Sequence, residues 1–381
     1  MNRMLNVACC AWLALAVSLT LGGAARAQGV TDTSILLGQN MALQGGKNDY
    51  GVAAAQGMKL YIDQTNAAGG VHGRQILTRI LDDDNKADIA EANARQLVKE
   101  GVFLLFGAID GGPSTAVMKA ANDLKVPFFG PLAGPPTLRT PYQPLVFPVR
   151  AEHKGEFQAL MNWGKSTGLK TVGFMRADTP VGQMHLANVQ RIAQELGLQF
   201  VQDLPFKGDV SDAQISEWVK ALGSSKPDML LNHGSAGLYQ KLVTQAKGAG
   251  IRTTFMAVNS GSSQIAAGLG PLAKGMVFSQ VVPSPWARKM AIAREYQEAA
   301  RKADPNAVFS YGALEGYMTA KAMVMSLRAT GRDLSRDKWL RTMSDARFDL
   351  GGLIARYKDG DHEGLRFVDL SIVGSEGRFV Q

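Results

Sequence analysis

The sequence predicts an α/β protein of two lobes, each a parallel sheet flanked by helices. Three observations predict it. Apolar runs of strand length alternate with longer segments of helical periodicity, and this alternation restarts after residues 147–150. In addition, the apolar runs at 102–106 and 126–129 each end in a loop rich in glycine and proline. Strands that alternate with helices form parallel sheets whose two faces are both covered.

The first 27 residues predict a secretion signal. Arg3 supplies a positive start, residues 7–21 are apolar apart from one Ser and one Thr, and Ala25-Arg26-Ala27 fits the pattern before a cleavage point. The apolar run is shorter than the roughly twenty residues of a membrane span, so a cleaved signal is favoured over a retained anchor. We therefore expect export, with cleavage near Ala27.

Composition excludes several classes of function. Both cysteines, Cys9 and Cys10, lie inside the signal, so the mature chain has no disulfide, thiol nucleophile or thiolate metal site. The formal charge is +8, and loss of the signal's two arginines lowers it to +6. No basic run is long enough to follow a phosphate backbone, so nucleic acid is not an expected partner.

The elements follow in order along the chain. The first lobe is predicted to contain strands at 35–38, 75–81, 102–106 and 126–129, with helices at 52–66, 89–100 and 115–124. The second is predicted to contain helices at 156–166, 184–196, 212–222 and 238–248, with strands at 171–175, 199–204, 229–232, 253–258 and 276–281.

The last hundred residues lack this alternation. Helices are predicted at 287–302, 311–330 and 335–343, followed by a strand-like tail at 348–379. Helices without strands of their own need a sheet to cover, so we expect them to return to the first lobe. Repeated crossing makes a hinge. The predicted lobes are residues 28–147 plus 283–350 and residues 148–282 plus 351–381.

Two motifs carry a family resemblance. Residues 66–74, Asn-Ala-Ala-Gly-Gly-Val-His-Gly-Arg, are followed by Leu-Asp-Asp-Asp at 81–84 and, later, by Leu-Glu-Gly-Tyr at 314–317. This pattern resembles the periplasmic solute-binding proteins of the leucine/isoleucine/valine-binding type. The two glycines Gly69 and Gly70 have a structural explanation as well, since a helix-to-strand reversal needs a left-handed cap and a tight turn.

The resemblance implies a type I periplasmic binding fold, with two Rossmann-like lobes joined by a multi-crossover hinge. It implies a periplasmic protein that closes on a small-molecule ligand, a branched-chain amino acid or a related small carboxylate or amide. The protein would deliver this ligand to an ABC permease in the inner membrane, with no catalysis, no cofactor and no stable oligomer. The same fold also serves ligand-sensing receptor subunits, which remain an alternative. Identification of the partner, a permease or a kinase, would separate the two.

In the family, the loops that match residues 107–115 and 130–136 bind a ligand carboxylate through amides and hydroxyls. The positions implied to carry the hydroxyls are Gly111 and Gly134 here, so amides remain while side-chain donors are lost. Gly112 and Ala133 adjoin them in the same loops. Ser114 is either a partial replacement for the missing hydroxyls or simply the N-cap of the next helix.

The family's amino-acid binders hold the ligand ammonium with a glutamate whose place matches Asn259. An amide is a poor counter-ion for a buried ammonium. Asp110 is a candidate replacement, with a solvated turn residue as the alternative. Val181 stands where the family has a tyrosine. These departures put α-amino acid specificity in doubt.

The resemblance assigns the remaining candidates to the walls of the cleft. Tyr50 lies at the mouth of the first lobe, with core packing as its alternative, and Tyr311 begins the late helix. Thr179 and Ser235 follow strands of the second lobe and are expected to close over the ligand. Trp286, at a hinge crossing, fits packing and lining equally.

Enzymatic and metal functions find weak support. Residues 112–116, Gly-Pro-Ser-Thr-Ala, approach the G-x-S-x-G nucleophile elbow, which would need His233 or His362 as a base. A proline before the nucleophile fits a strained elbow poorly, so a serine hydrolase is a remote alternative. The histidines lack metal-ligand spacing, and no metal site is predicted from them: His72, His153, His185, His233 and His362.

Overall fold

A computed structural model describes residues 28–44, 48–259, 261–375 and 379–380. The predicted signal, with both cysteines, lies outside the described residues. Within those ranges no helix has both the length and the apolar character of a membrane span. The chain forms two large sheets and one small one.

The first sheet has five parallel strands in the order β2-β1-β3-β4-β5. Helices α1 to α3 connect them. The bounds are β1 Ser34–Met41, α1 Asp49–Ala67, β2 Gln75–Asp82, α2 Ala87–Lys99, β3 Leu104–Phe106, α3 Gly111–Leu124, β4 Phe128–Phe129 and β5 Val146–Phe147, with a 3-10 turn at Pro136–Leu138.

The second sheet has seven strands in the order β15-β14-β10-β9-β8-β6-β7. Strands β6 to β10 pair in parallel, whereas β14 and β15 are antiparallel additions. Its elements are α4 His153–Ser166, β6 Thr171–Ala177, α5 Pro180–Leu196, β7 Gln199–Phe206, α6 Asp212–Ser225, β8 Met229–His233, α7 Ala236–Gly248, β9 Thr254–Ala257, α8 Ser262–Leu269, β10 Val277–Gln280, β14 Asp369–Val373 and β15 Phe379–Val380.

The remaining elements lie between β10 and β14. They are α9 Ala291–Ala303, α10 Tyr311–Thr330, α11 Arg336–Met343 and an antiparallel sheet of β11 Asp345–Asp349, β12 Ile354–Lys358 and β13 Asp361–Gly364. Helices α9 and α10 pack on α1, so they return to the first lobe as predicted. The chain thus crosses between lobes after β5, after β10 and after β13. These observations confirm the predicted two-lobed α/β fold.

Each large sheet has a hydrophobic cluster on each face, as parallel sheets require. The small sheet packs on the first lobe, where Leu353, Tyr357 and Leu365 join the core beneath α10. The return to the second sheet therefore comes only at β14, later than the predicted boundary at residue 350. The reason is that β11 to β13 pair with one another and bury their apolar face on the nearer core.

Several local boundaries also differ from the predictions. Helix α3 begins at Gly111 rather than residue 115, and α5 begins at Pro180 rather than residue 184. Helix α8 and the short strand β5 were not predicted at all. The first turns of α3 and α5 contain glycine and proline, which hide helical periodicity even though proline suits a first turn.

The glycine motif at residues 66–74 makes the turn expected of it. Gly69 and Gly70 have φ of 95° and 74°, and a Cβ on Gly70 would lie 2.0 Å from the carbonyl oxygen of Arg74. Asn66 joins helix to strand, because its amide donates to the Ile76 carbonyl at 2.9 Å and its oxygen accepts from the Ile76 amide at 2.8 Å. The motif is structural, as predicted.

Helices α1 and α10 approach unusually closely. A Cβ on Gly57 would lie 1.9 Å from the Ala313 carbonyl oxygen, and one on Gly316 would lie 2.0 Å from the Ala54 carbonyl oxygen. The two backbones therefore touch at glycines, which have no side chain to hold the helices apart. This contact brings the side chain of Glu315, which precedes Gly316, to the start of α1.

Candidate functional site

The candidate site lies where loops leave the carboxyl ends of strands in both lobes. This is the expected ligand position in open α/β sheets. The loops after β3 and β4 contribute from the first lobe, and those after β6, β8 and β9 contribute from the second. The lobes also touch directly, since α5 packs against the turn at Pro136–Leu138.

A fully buried glutamate, Glu315, links the two lobes. Its Oε2 accepts hydrogen bonds from the Tyr50 hydroxyl at 2.7 Å and from the Asn259 side-chain amide at 2.9 Å. Burial raises the pKa of Glu315, and the nearby Arg150 guanidinium opposes that shift. The structure thus joins two residues that the sequence placed at the ligand, through an acid that the sequence assigned no role.

A second buried carboxylate, Glu156 on α4, is satisfied from four sides. Its Oε1 accepts hydrogen bonds from the guanidinium of Arg150 and from His153 Nδ1, the latter at 2.8 Å. Its Oε2 accepts hydrogen bonds from the backbone amide of Asn259 at 3.1 Å and from the Ser279 hydroxyl at 2.6 Å. Such a carboxylate has little capacity left for a ligand. Glu156 therefore organises the hinge.

Arg150 lies between the two acids and is 1% exposed. Burial opposes its charge, but Glu156 and Glu315 outweigh that effect and raise its pKa. Its Nη1 is 3.7 Å from Glu315 Oε1, and neither atom has a hydrogen-bond partner among the described residues. Buried charged atoms without partners are costly, so this pair can gain from a polar ligand.

Asp110 adds a third carboxylate next to this cluster. It is half-buried with φ of 63°, and its Oδ2 accepts from the Asn48 side-chain amide at 3.3 Å. Burial raises the pKa of Asp110. The charge of Asp110 also contributes to the raised pKa of Tyr50, after burial and Glu315. Asp110 is thus a partly desolvated acid near Tyr50 rather than a freely solvated turn residue.

The N-cap of α3 is Asp110, and Ser114 is the fourth residue of the helix. The interpretation of Ser114 as the N-cap is therefore wrong. Its Oγ is buried and has no hydrogen-bond partner in the described part of the chain, and it is therefore not hydrogen-bonded to His233 or His362. Gly111 and Gly112 form the first turn, where helix amides lack intrahelical acceptors.

In the second loop, Gly134 is engaged with the start of α4. Its amide donates to His153 Nε2 at 3.2 Å, and its carbonyl accepts from the His153 amide at 2.9 Å. A Cβ on Gly134 would lie 2.7 Å from the backbone nitrogen of His153. The amide expected to meet a ligand carboxylate thus already has an acceptor, and the neighbouring Ala133 is buried.

The candidates of the second lobe mainly cap helices. Thr179 caps α5 by accepting from the Gly182 amide at 3.1 Å, and the exposed Ser235 caps α7 through the Leu238 amide at 3.4 Å. Val181 is the half-buried second residue of α5. Capping leaves a second lone pair on each hydroxyl, so their predicted ligand contacts stay predictions.

Aromatic side chains gather at the hinge crossing after β10. The rings of Trp286 and Tyr311 meet edge to face at 5.4 Å, and Trp286 stacks on Phe379 at 6.4 Å. Tyr311 is buried, whereas Trp286 keeps 47% of its surface exposed. Trp286 is therefore a partly open wall that both packs and faces solvent.

Three histidines meet on the second lobe, where His153 contacts Glu156: His153, His185 and His233. Burial lowers the pKa of each, to about 4 for His233, so the rings are neutral at neutral pH. Their sequence separations of 32 and 48 residues hid this grouping, which only the strand order of the second sheet creates.

Comparison with known proteins agrees with this architecture. The family model described as periplasmic binding protein matches residues 34–370. The chain belongs to the periplasmic binding protein family. The predicted relation to leucine/isoleucine/valine-binding proteins is confirmed by a curated relative, the leucine-, isoleucine-, valine-, threonine- and alanine-binding protein of Pseudomonas aeruginosa. It is 24% identical over 236 residues, which are 60% of this chain and 61% of that protein.

Solved structures of ligand-binding proteins share the fold. An extracellular ligand-binding receptor from Verminephrobacter eiseniae is 22% identical with a TM-score of 0.81, and the match covers 92% of this chain and all of that one. A fatty acid ABC transporter substrate-binding protein from Thermomonospora curvata is also 22% identical with a TM-score of 0.81, covering 93% and 92%. At such identities the likeness extends to the fold and leaves the ligand open.

Proposed function

We propose that this periplasmic binding protein is the exported solute-binding component of an ABC importer and that it captures an amino acid or a related small amine. The observation that carries the proposal is the position of Glu315, which accepts hydrogen bonds from Tyr50 of the first lobe and Asn259 of the second. A ligand that binds both lobes at this carboxylate would favour the closed state.

The charge of the site supports an ammonium group. Asp110 and Glu315 are both acids in or near the cleft, whereas the guanidinium of Arg150 is already bound by Glu156. The acid missing at Asn259 is thus supplied from α10, and Asn259 binds that acid instead of replacing it. This arrangement answers the objection that the substituted amide raises against amino acid ligands.

Binding without catalysis is part of the proposal. Ser114, the serine of the elbow-like motif, is buried in a helix, and its hydroxyl is not hydrogen-bonded to a histidine in the described ranges. Delivery to an inner-membrane permease is favoured because the curated relative and one solved neighbour carry transport or binding names. Export through the signal before Gln28 is part of the same proposal.

The test is a thermal-shift and calorimetric panel on residues 28–381. It includes leucine, isoleucine, valine, threonine and alanine, the deaminated analogue 4-methylpentanoate, the decarboxylated analogue 3-methylbutylamine, and a long-chain fatty acid. A bound solute at a hundredfold excess over its dissociation constant stabilises the protein by about 2.7 kcal/mol. We expect stabilisation by ligands that carry an ammonium group and none by 4-methylpentanoate.

The decisive variant is Glu315→Gln, with Glu298→Gln on the exposed side of α9 as its control. Glutamine keeps an acceptor for Tyr50 and Asn259 but loses the charge, so amine affinity falls while Glu298→Gln binds as the wild type does. Stabilisation by fatty acid or 4-methylpentanoate alone would overturn the amine assignment. If no compound of the panel binds or raises the melting temperature, the proposed role in solute binding for transport loses its support.

A further inference from the structure

The second lobe contains a histidine cluster that the proposed solute site does not require. His153 is the first residue of α4, His185 lies in α5, and His233 ends β8. One ring nitrogen from each lies within 4.8 Å of the others. The ring centroids of His185 and His233 are 4.1 Å apart, and that of His153 is 4.6 Å from His233.

We propose that His153, His185 and His233 form a binding site for a divalent transition-metal ion such as Zn²⁺. Nitrogens that share one tetrahedral Zn²⁺ lie about 3.3 Å apart, given Zn–N bonds of roughly 2.0–2.1 Å. The present spacing therefore requires side-chain movements of only about 1.5 Å or less. Three imidazoles leave one coordination position open.

His185 provides the independent observation that points to a ligand. It is fully buried, and neither of its ring nitrogens has a hydrogen-bond partner among the residues that the structure describes. An unpaired buried polar group costs about 1–3 kcal/mol. A bound ion would satisfy this ring, and a purely structural role would be served better by an apolar side chain.

His153 is already oriented for coordination through Nε2. Its Nδ1 is 2.8 Å from Glu156 Oε1 and its Nε2 accepts the long 3.2 Å bond from Gly134, so the proton lies on Nδ1. A carboxylate that binds the distal nitrogen of a metal-bound histidine fixes the ring and its tautomer. An ion would take the place of the weak Gly134 contact.

The surroundings select the kind of ion. The charges of Arg139 and Arg150 act on His153, whereas Glu156 contacts His153 and its charge acts on His233. Because the arginines offset the charge of this carboxylate, the affinity must come from coordination by neutral imidazoles. Imidazole suits Zn²⁺, Cu²⁺ and Ni²⁺, whereas Ca²⁺ and Mg²⁺ prefer oxygen ligands. An ion would enter the cluster past His233, which is partly exposed.

The test uses residues 28–381 with no histidine tag, stripped with chelator and titrated with ZnCl2 by calorimetry. We expect one Zn²⁺ per chain and no heat from CaCl2 or MgCl2. Co²⁺ in place of Zn²⁺ should give the visible bands of a four-coordinate site. Solute binding is measured in chelator in parallel, so that failure of the metal site and failure of solute binding are seen separately.

His185→Leu is the main variant, and His233→Gln is a second in case the first does not fold. Each should lower Zn²⁺ affinity by at least the roughly 10- to 100-fold that loss of an outer-shell partner costs. In chelator, His185→Leu should melt no lower than the wild type, because it removes two unpaired nitrogens. The control is His72→Asn at an exposed histidine with φ of 52°, which asparagine tolerates.

Two results would overturn the assignment. One is the absence of Zn²⁺ binding by the wild type, with no Co²⁺ spectrum. The other is binding that His185→Leu and His233→Gln retain at wild-type affinity, which would place the ion elsewhere on the chain.

Discussion

The contact between α1 and α10 makes Gly316→Ala a sharp test of how this fold positions the candidate site. The added Cβ would lie 2.0 Å from the Ala54 carbonyl oxygen and 2.9 Å from its Cα. Ordinary contact begins at 3.4 Å, so the helices would have to separate by about 1.4 Å. Both sides of the contact are backbone, which cannot move aside as a flexible side chain can.

The expected loss of stability combines two opposing effects. Overpacking costs typically 1–3 kcal/mol, and a backbone clash belongs at the upper end. Replacing glycine with alanine inside a helix returns about 1 kcal/mol. The expected net loss is about 2 kcal/mol, which corresponds to a fall in Tm of roughly 4–8 °C for a lobe of this size.

The assay is scanning calorimetry together with solute titration, because separating the helices also moves Glu315 away from Tyr50. The matched control is Gly223→Ala in α6, where the new Cβ would make an ordinary 3.6 Å contact with Ile251. That variant should melt at or above the wild type. If Gly316→Ala melts as high as Gly223→Ala, the close helix contact does not exist as described.

Two further predictions concern buried carboxylates. Burial raises the pKa of Asp83 to about 6, so the folded state binds the Asp83 proton more tightly than the unfolded state does. Protonated Asp83 therefore contributes to stability at low pH, and this contribution is lost as the pH rises from about 4 through 6. The free energy of unfolding of Asp83→Asn, measured with urea, should therefore rise by about 3 kcal/mol relative to that of the wild type between pH 4 and pH 8. A difference between the two proteins that does not change with pH would contradict this pKa. Glu156→Gln should destabilise the protein by about 3–5 kcal/mol because Arg150 loses its buried partner, as measured by the same unfolding; a loss below 1 kcal/mol would show that the ion pair is not buried.

Much of the fold could be predicted because its signals are local. Strand length, helical periodicity and the turn chemistry of residues 66–74 depend on neighbours in the chain. The parallel two-lobed arrangement followed from alternation alone. The boundaries that were missed lie where glycine and proline start a helix, at α3 and α5, or where elements are short, at β5 and α8.

The site was predictable only in part. Tyr50 and Asn259 were expected near the ligand, and the structure brings both to one carboxylate. In the sequence, Glu315 appears only as part of the Leu-Glu-Gly-Tyr motif, and no role was predicted for it. Its role depends on burial and on partners 265 and 56 residues away, neither of which has a local signature. The amide of Gly134 was expected to be available and instead binds His153.

The sequence by itself determined the class of fold, the repeated strand-helix units, the absence of cysteine after the predicted signal and the glycine turn that marks the family. Tertiary structure alone decided which charges meet. The buried group of Arg150, Glu156 and Glu315 assembles from both lobes, and the cluster of His153, His185 and His233 assembles from three separate elements of the second lobe. The physical reason is that periodicity and turns arise from near neighbours, whereas desolvation and pairing of charges depend on where the strand order and three crossings place distant segments.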